Sequence, residues 1–251
     1  MVLLIYDGSW TGFLSSIFDV YERKLKEVCL VKHELYQPRF FSGDLPVTAS
    51  EEKASRVLYG LKKRLTERGL NEFYACYLSG LDGSDELLLQ YARLIFDGKV
   101  DERAFGNDAV LKVSRIAKMV FRESHRMKGF IRFRLTNDGF YYSAIEPDFD
   151  VLPFIKTHFK QRFADQKWLI YDLKRKYGIF YDLEGITEVI FEKAPDPGIS
   201  SGTDVFIESD SEYQGLWKQY YISTGIESRK NTRLHLRHVP KRYWKHLPEE
   251  W

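Results

Sequence analysis

Two histidines, several carboxylates and a set of arginines follow one another at spacings that could bring them together on a phosphodiester. Glu123, His125 and Arg126 share one segment; Asp148 and Asp150 come next, then His158 and Arg162 one helical turn apart, then Asp172 and Arg175. Two histidines with two or three carboxylates could hold a divalent metal for phosphodiester hydrolysis. Alternatively, His125 or His158 could be a general base held by Asp148 or Asp172. A plain structural reading stands beside both. In it Glu123 or Asp172 pairs with Arg126 or Arg175, Asp150 caps a helix, and His158 is a half-buried histidine with its partners satisfied. None of these spacings has the specificity of HExxH or of a zinc-finger pair.

The surroundings of Glu123 are strongly basic. Lys112 to Arg134 holds eight Lys or Arg against that one acid, a local charge of +7. At about 100° per residue, Lys112, Arg115, Lys118, Arg122 and Arg126 share one helix face, with Val113, Ile116, Ala117, Val120 and Met127 on the other. A basic stripe backed by a core-facing stripe is a platform for a polyanion, and it points towards nucleic acid. Arg229 to Lys245 is a second such segment. Its Arg229, Lys230, Arg233, Arg237, Lys241, Arg242 and Lys245 can meet phosphates, while Tyr243 and Trp244 could stack on exposed bases. The alternative is a C-terminal helix docked by Leu234, Leu236, Val239 and Trp244 with its basic side in water. Arg132, Arg162 and Arg175 complete the set of bases expected to meet nucleic acid.

The whole chain carries a net charge of only +2, so these segments are offset elsewhere. Glu184 to Glu212 holds eight acids and one base, while Tyr213 to Trp251 holds eight bases and three acids. Such asymmetry hints at electrostatic partners, or at an acidic segment folded over basic ones. At 251 residues and 44% hydrophobic, the chain can bury one large core or two smaller ones. The apolar start MVLLIYDGS is too short for a secretory signal, and nothing approaches the roughly 18 apolar residues of a membrane span. A cytoplasmic protein is expected, with Cys29 and Cys76 as buried reduced thiols. Two cysteines cannot hold an iron–sulfur cluster or a Cys-rich zinc site, so the chain implies no cofactor of its own beyond a divalent metal at the His/Asp cluster. The absence of P-loop, GxGxxG and GxSxG patterns removes ATPase, dehydrogenase and serine-hydrolase chemistry. Asp7 follows a buried strand, where active residues often sit, although YDGS also reads as a turn.

The elements that position these residues can be read from periodicity. Val2 to Tyr6, Trp10 to Lys26 and Val28 to Val31 suggest a βαβ-like start. Thr48 and Glu51 fit a capping box opening a helix to about Arg68, closed by Gly69. Helices over Asn71 to Leu78, Ser84 to Phe96 and Asn107 to Lys128 complete a helical layer. Strands over Phe130 to Leu135 and Phe140 to Ile145 flank Asn137-Asp138-Gly139, a hairpin turn. A helix over Val151 to Phe163 follows. Trp168 to Leu173 and Ile179 to Leu183 then form a second hairpin, and Thr187 to Phe191 adds a strand. Ala194 to Thr203 reads as a loop, and Glu212 to Ile226 and Leu234 to Leu247 as helices. The expectation is an α+β fold, an antiparallel sheet of hairpins packed with helices. The division expected is 1–106 and 107–251, with one continuous domain as the alternative.

Several segments in this order resemble a known family. They are Tyr6-Asp7-Gly8-Ser9 with Gly12-Phe13-Leu14; Glu123-Ser124-His125-Arg126 with Gly129-Phe130-Ile131-Arg132-Phe133; Ile145-Glu146-Pro147-Asp148; His158-Phe159 with Arg162-Phe163; Trp168, Tyr171-Asp172 and Lys174-Arg175; and Leu216-Trp217, Arg229, Asn231 and Pro240-Lys241-Arg242-Tyr243-Trp244. They resemble an uncharacterised bacterial family linked to DNA metabolism or repair. Its members are often encoded beside a radical-SAM protein linked to DNA modification or repair, and the domain also occurs fused to a protein like uracil-DNA glycosylase. The resemblance implies a context and no reaction, and this chain carries no glycosylase active-site motif. Three functions follow as expectations: a DNA-binding accessory to a radical-SAM partner, an enzyme acting on DNA through His125, His158, Asp148 and Asp172, or a protein–protein adaptor.

Overall fold

The computed structural model describes residues 2–38, 43–191, 216, 219, 223 and 232–250. It divides into two compact units, Met1–Val120 and Phe121–Trp251. The division falls inside the basic helix, whereas the sequence placed it at that helix's start.

In the first unit, β1 (Val2–Tyr6) is the centre of a three-stranded parallel sheet, flanked by β2 (Val28–Lys32) and β3 (Gly43–Pro46). The expected βαβ unit is present, with α1 (Trp10–Glu22) as its crossover. Ser9 caps α1, its side chain accepting from the Gly12 N–H at 2.9 Å. Asp7 accepts from the N–H and hydroxyl of Ser9 at 2.9 and 2.7 Å, the turn role that was its plainer reading. The short β3, GDLP, has little β propensity and gave no strand signal in the sequence.

The helical layer comprises α2 (Glu51–Lys62), α3 (Glu67–Leu78) and α4 (Ser84–Phe96). The expected helix to Arg68 ends early. Ser50 rather than Thr48 caps α2, and Thr66 opens α3 by accepting from the Gly69 N–H at 3.2 Å. Gly69 therefore lies inside a helix, where a Cβ would meet the Glu102 carboxylate at 2.1 Å. Phe13, Leu14, Ile17, Leu61 and Leu88 form the centre of this unit's core, all fully buried.

Helix α5 (Asp108–Phe130) opens with Asn107, which accepts from the Ala109 and Val110 N–H groups at 3.0 and 3.4 Å. It runs two residues past its expected end and consumes the start of the expected strand. Only Arg134–Leu135 remains as β4, paired antiparallel with β5 (Tyr141–Ile145) across the anticipated turn, where Gly139 has φ +79°. After α6 (Leu152–Arg162) come β6 (Trp168–Asp172), β7 (Tyr177–Tyr181) and β8 (Ile186–Val189), in the order β4-β5-β6-β7-β8.

The fold is α+β, but the expected all-antiparallel sheet needs correction. The first sheet is parallel, and β5 pairs with β6 in parallel. The reason is the α6 crossover: a strand, a helix and a neighbouring strand return in the same direction. Every residue of the central β6 is buried, so its sequence WLIYD shows no alternation. Trp168 packs among Phe133, Phe159 and Tyr181. A Cβ at Gly178 would lie 2.7 Å from the Ile170 carbonyl oxygen of the neighbouring strand. Gly178→Ala should therefore push β7 from β6 and lower stability by about 1–3 kcal/mol, measured by chemical denaturation. An unchanged midpoint would show that the strands separate freely there.

The C-terminal helix α7 (Thr232–His238) is followed by 3₁₀ turns at Lys241–His246 and Pro248–Glu250, so Pro240 ends the expected Leu234 to Leu247 helix early. The expected loop over Ala194 to Thr203 lies outside the described residues. So do Arg229, Lys230, most of the acidic Glu184 to Glu212 segment, and all but single positions of the Glu212 to Ile226 helix.

Candidate functional site

The parallel register of β5 and β6 sets Ile145 beside Asp172, so the segments that leave these strands emerge at one end of the sheet. Such carboxyl ends are the usual place for ligands in parallel α/β arrangements. Here the space is filled by a polar network. Asp172, with no exposed surface, accepts from the N–H groups of Lys174 and Arg175 at 2.9 and 3.1 Å and from the Arg175 guanidinium at 2.7 Å. Arg175 also donates to the carbonyls of Pro147 and Asp148 at 3.2 and 2.8 Å, bolting the two strand exits together. Beside it, Tyr177 donates to Asp150 at 2.6 Å. Burial pushes both carboxyls above the usual range, against the opposing pull of Arg175 on Asp172 and of the Tyr177 hydroxyl on Asp150.

Glu123, the single acid of the basic stretch, is the second hub. It is 2% exposed. It accepts from the Asp148 N–H at 3.0 Å and from the Tyr243 hydroxyl, and it lies 3.7 and 3.6 Å from the guanidinium groups of Arg126 and Arg242. Burial first, and then Glu123, push the Tyr243 hydroxyl upward.

Further pairs hold the C-terminal segment to the same unit. Arg242 meets Asp148 at 2.7 Å, Lys245 meets Glu146 at 2.6 Å, Arg132 meets Glu249 at 2.5 Å, and Arg126 donates to the Arg237 carbonyl at 3.4 Å. His235 lies 2.9 Å from Glu250.

These contacts sort the expected residues. Asp148 and Asp172 do share one network, joined through Arg175. The histidines have other surroundings. His125 is exposed on α5, and His158 sits half-buried on α6 with its ring at right angles to Phe159. Burial, then Lys128, then Arg162 lower the His158 pKa. Among the described residues, no three His, Cys, Asp or Glu side chains come together as a metal ion would require.

Arg126, Arg132, Arg175 and Arg242, expected to meet nucleic acid, each also pair with groups of this unit. Lys112 pairs with Asp108 at 2.6 Å on the surface. Arg115, Lys118, Arg122, Lys128, Arg162, Arg233, Arg237 and Lys241 are exposed. Tyr243, expected as a base stacker, is buried against Phe130 and Glu123, while Trp244 donates to the Val239 carbonyl at 3.1 Å. The sequence reading missed the partners of this segment. Glu249 and Glu250, two acids closing a basic run, were the available signal for a docked tail.

The network can therefore do two things. Its buried part fixes the strand exits, and its outer pair, Arg242 with Asp148, has both side chains 45% exposed and can exchange a carboxylate for a phosphate. The exposed face of α5 is the complementary feature. From Arg115 to Lys128 its exposed side chains include Arg115, Lys118, Arg122, His125 and Lys128 and no acid, because Glu123 is turned inward.

A family model described as a domain of unknown function, DUF4130, matches residues 82–249, about two thirds of the chain. No curated protein is similar enough to match. No helix among the described residues is long and apolar enough to cross a membrane.

Proposed function

Since the chain belongs to the DUF4130 family, whose description names no reaction, we propose a function from the chemistry of the site itself: a DNA-binding accessory protein that presents DNA to a partner enzyme in the cytoplasm. The observation that carries this reading is the acid-free exposed face of α5. A solvated surface helix ordinarily mixes both signs. Here the only acid between Arg115 and Lys128 is spent on Tyr243 and the Asp148 N–H. Backbone phosphates are the ligands such a face suits, with little sequence preference. The resemblance to proteins of DNA metabolism favours DNA over other polyanions, and it makes a radical-SAM protein the partner to test.

The test is a fluorescence-anisotropy titration against labelled single- and double-stranded DNA at roughly 50 and 200 mM salt, with product analysis after adding Mg²⁺ or Mn²⁺. Salt-sensitive binding without product is expected. The Arg115→Ala/Lys118→Ala/Arg122→Ala variant should flatten the slope of log affinity against log salt by about 0.9 for each phosphate no longer neutralised, alike for all sequences. No binding at the lower salt would overturn the reading, and cleavage or base release would replace an accessory with an enzyme.

A further inference from the structure

We propose that the first unit holds a mononucleotide-binding groove at the turn from α1 into β2. A cavity of about 530 Å³ opens there against the last turns of α4, within the range of small-ligand sites. Three features of its lining match the phosphate, the face and the edge of the base of a nucleotide.

The first is charge. The lining holds four bases, Lys24, Lys26, Arg93 and Lys99, against one acid, Asp97, which Lys99 already meets at 2.8 Å. Arg93 is spent on structure, donating to the carbonyls of Lys26 and Leu25 at 2.9 and 2.8 Å and so tying the turn to α4. Lys24 and Lys26, both exposed, supply the remaining positive charge for a phosphate.

The second is a planar contact. Tyr21 lines the groove, is 41% exposed, and is held at 88° to Phe96 with ring centroids 5.5 Å apart. With the apolar Val20, Leu25 and Leu94 it offers a surface on which a heterocycle can stack. The third is the Gln90 side-chain amide, which both donates and accepts, as the edge of a base requires.

The backbone adds an independent sign. α1 closes with Lys24 N–H bonded to the Tyr21 carbonyl at 3.2 Å and Leu25 N–H bonded to the Val20 carbonyl at 2.9 Å. That turn places its central residue in the left-handed region, usually occupied by glycine. Lys24 occupies it with φ 52°. That φ is one L side chains rarely adopt; it sets the lysine's Cβ at the rim of the groove, and such outliers cluster at ligand sites.

The test uses the intact protein with adenosine 5′-monophosphate, adenosine and inorganic phosphate as probes, titrated calorimetrically. The monophosphate should bind saturably and about tenfold or more tighter than either fragment. Lys24→Gln/Lys26→Gln should weaken it about tenfold and leave adenosine unchanged. Tyr21→Ala should cost about tenfold, as expected for one stacked base, while Tyr21→Phe keeps the affinity. Thermal melts confirm that each variant is folded. The Arg115→Ala/Lys118→Ala/Arg122→Ala protein should bind the monophosphate as the parent does, so this site stands or falls apart from DNA binding. Phosphate binding as tightly as the monophosphate, or binding that survives both the lysine and the Tyr21→Ala variants, would overturn the assignment.

Discussion

Glu123→Ala is expected to lower the free energy of unfolding by about 3 kcal/mol and to loosen the C-terminal segment. The reasoning starts from burial. Glu123 is 2% exposed, and its carboxylate is the acceptor for the Tyr243 hydroxyl and the Asp148 N–H. Tyr243 is itself 2% exposed, so its hydroxyl would be left buried without that acceptor. Each such orphaned donor costs about 1–3 kcal/mol. The ion pairs contribute less, because Arg126 and Arg242 stand off at 3.7 and 3.6 Å with side chains 24% and 45% exposed. Glu123→Gln, which keeps an acceptor oxygen of the same reach, should cost about 1 kcal/mol. Chemical denaturation gives both values. Limited trypsin digestion adds a local readout, because cleavage at Lys241 and Arg242 requires this segment to open. Faster cleavage in Glu123→Ala than in Glu123→Gln is expected. Equal losses in the two variants would show that the charge, rather than the two hydrogen bonds, holds the segment.

That dependence explains what the sequence could and could not reveal. α4 and α5 were legible because their apolar and polar positions repeat within one window, and the β6–β7 hairpin because its turn is local. The direction of β5 against β6 was less so, although a helix between two strands signals a parallel return. β3 offered no pattern at all. The site was legible in its residue types and not in its pairings. The Tyr243–Glu123 contact spans 120 positions and the Arg132–Glu249 contact 117, separations that no periodicity reports. Bases that look available in a linear reading, such as Arg126 and Arg242, are then found committed to carboxylates. Arg115, Lys118 and Arg122 have the exposure that helix geometry predicts, whereas Arg126, expected on the same face, is partly covered.

Asp172→Ala is expected to be the most damaging substitution in the second unit, costing about 4 kcal/mol. Three hydrogen bonds end on this fully buried carboxylate, two of them from the backbone of the β6–β7 turn. Without it those N–H groups lose their acceptor, and Arg175 keeps only its bonds to the Pro147 and Asp148 carbonyls. Asp172→Asn should behave differently. Its amide oxygen can still accept from Lys174 and Arg175, and it removes a charge whose burial outweighs the help of Arg175. The pH dependence follows from the direction of the shift. A carboxyl raised above its ordinary value of 3.8 stabilises the fold while protonated, below that value, and loses that contribution as pH rises through its folded pKa. Asparagine does not titrate, so the cost of Asp172→Asn should be greatest in acid and shrink towards neutral pH. Denaturation at about pH 4 and pH 7 reads the difference. A cost that grows with pH would instead mean that the charged pair with Arg175 is net stabilising. DNA affinity supplies the functional counterpart: a structural Asp172 requires the folded Asn variant to bind DNA as the parent does, whereas a carboxylate engaged with the nucleic acid would change affinity or turnover without changing stability.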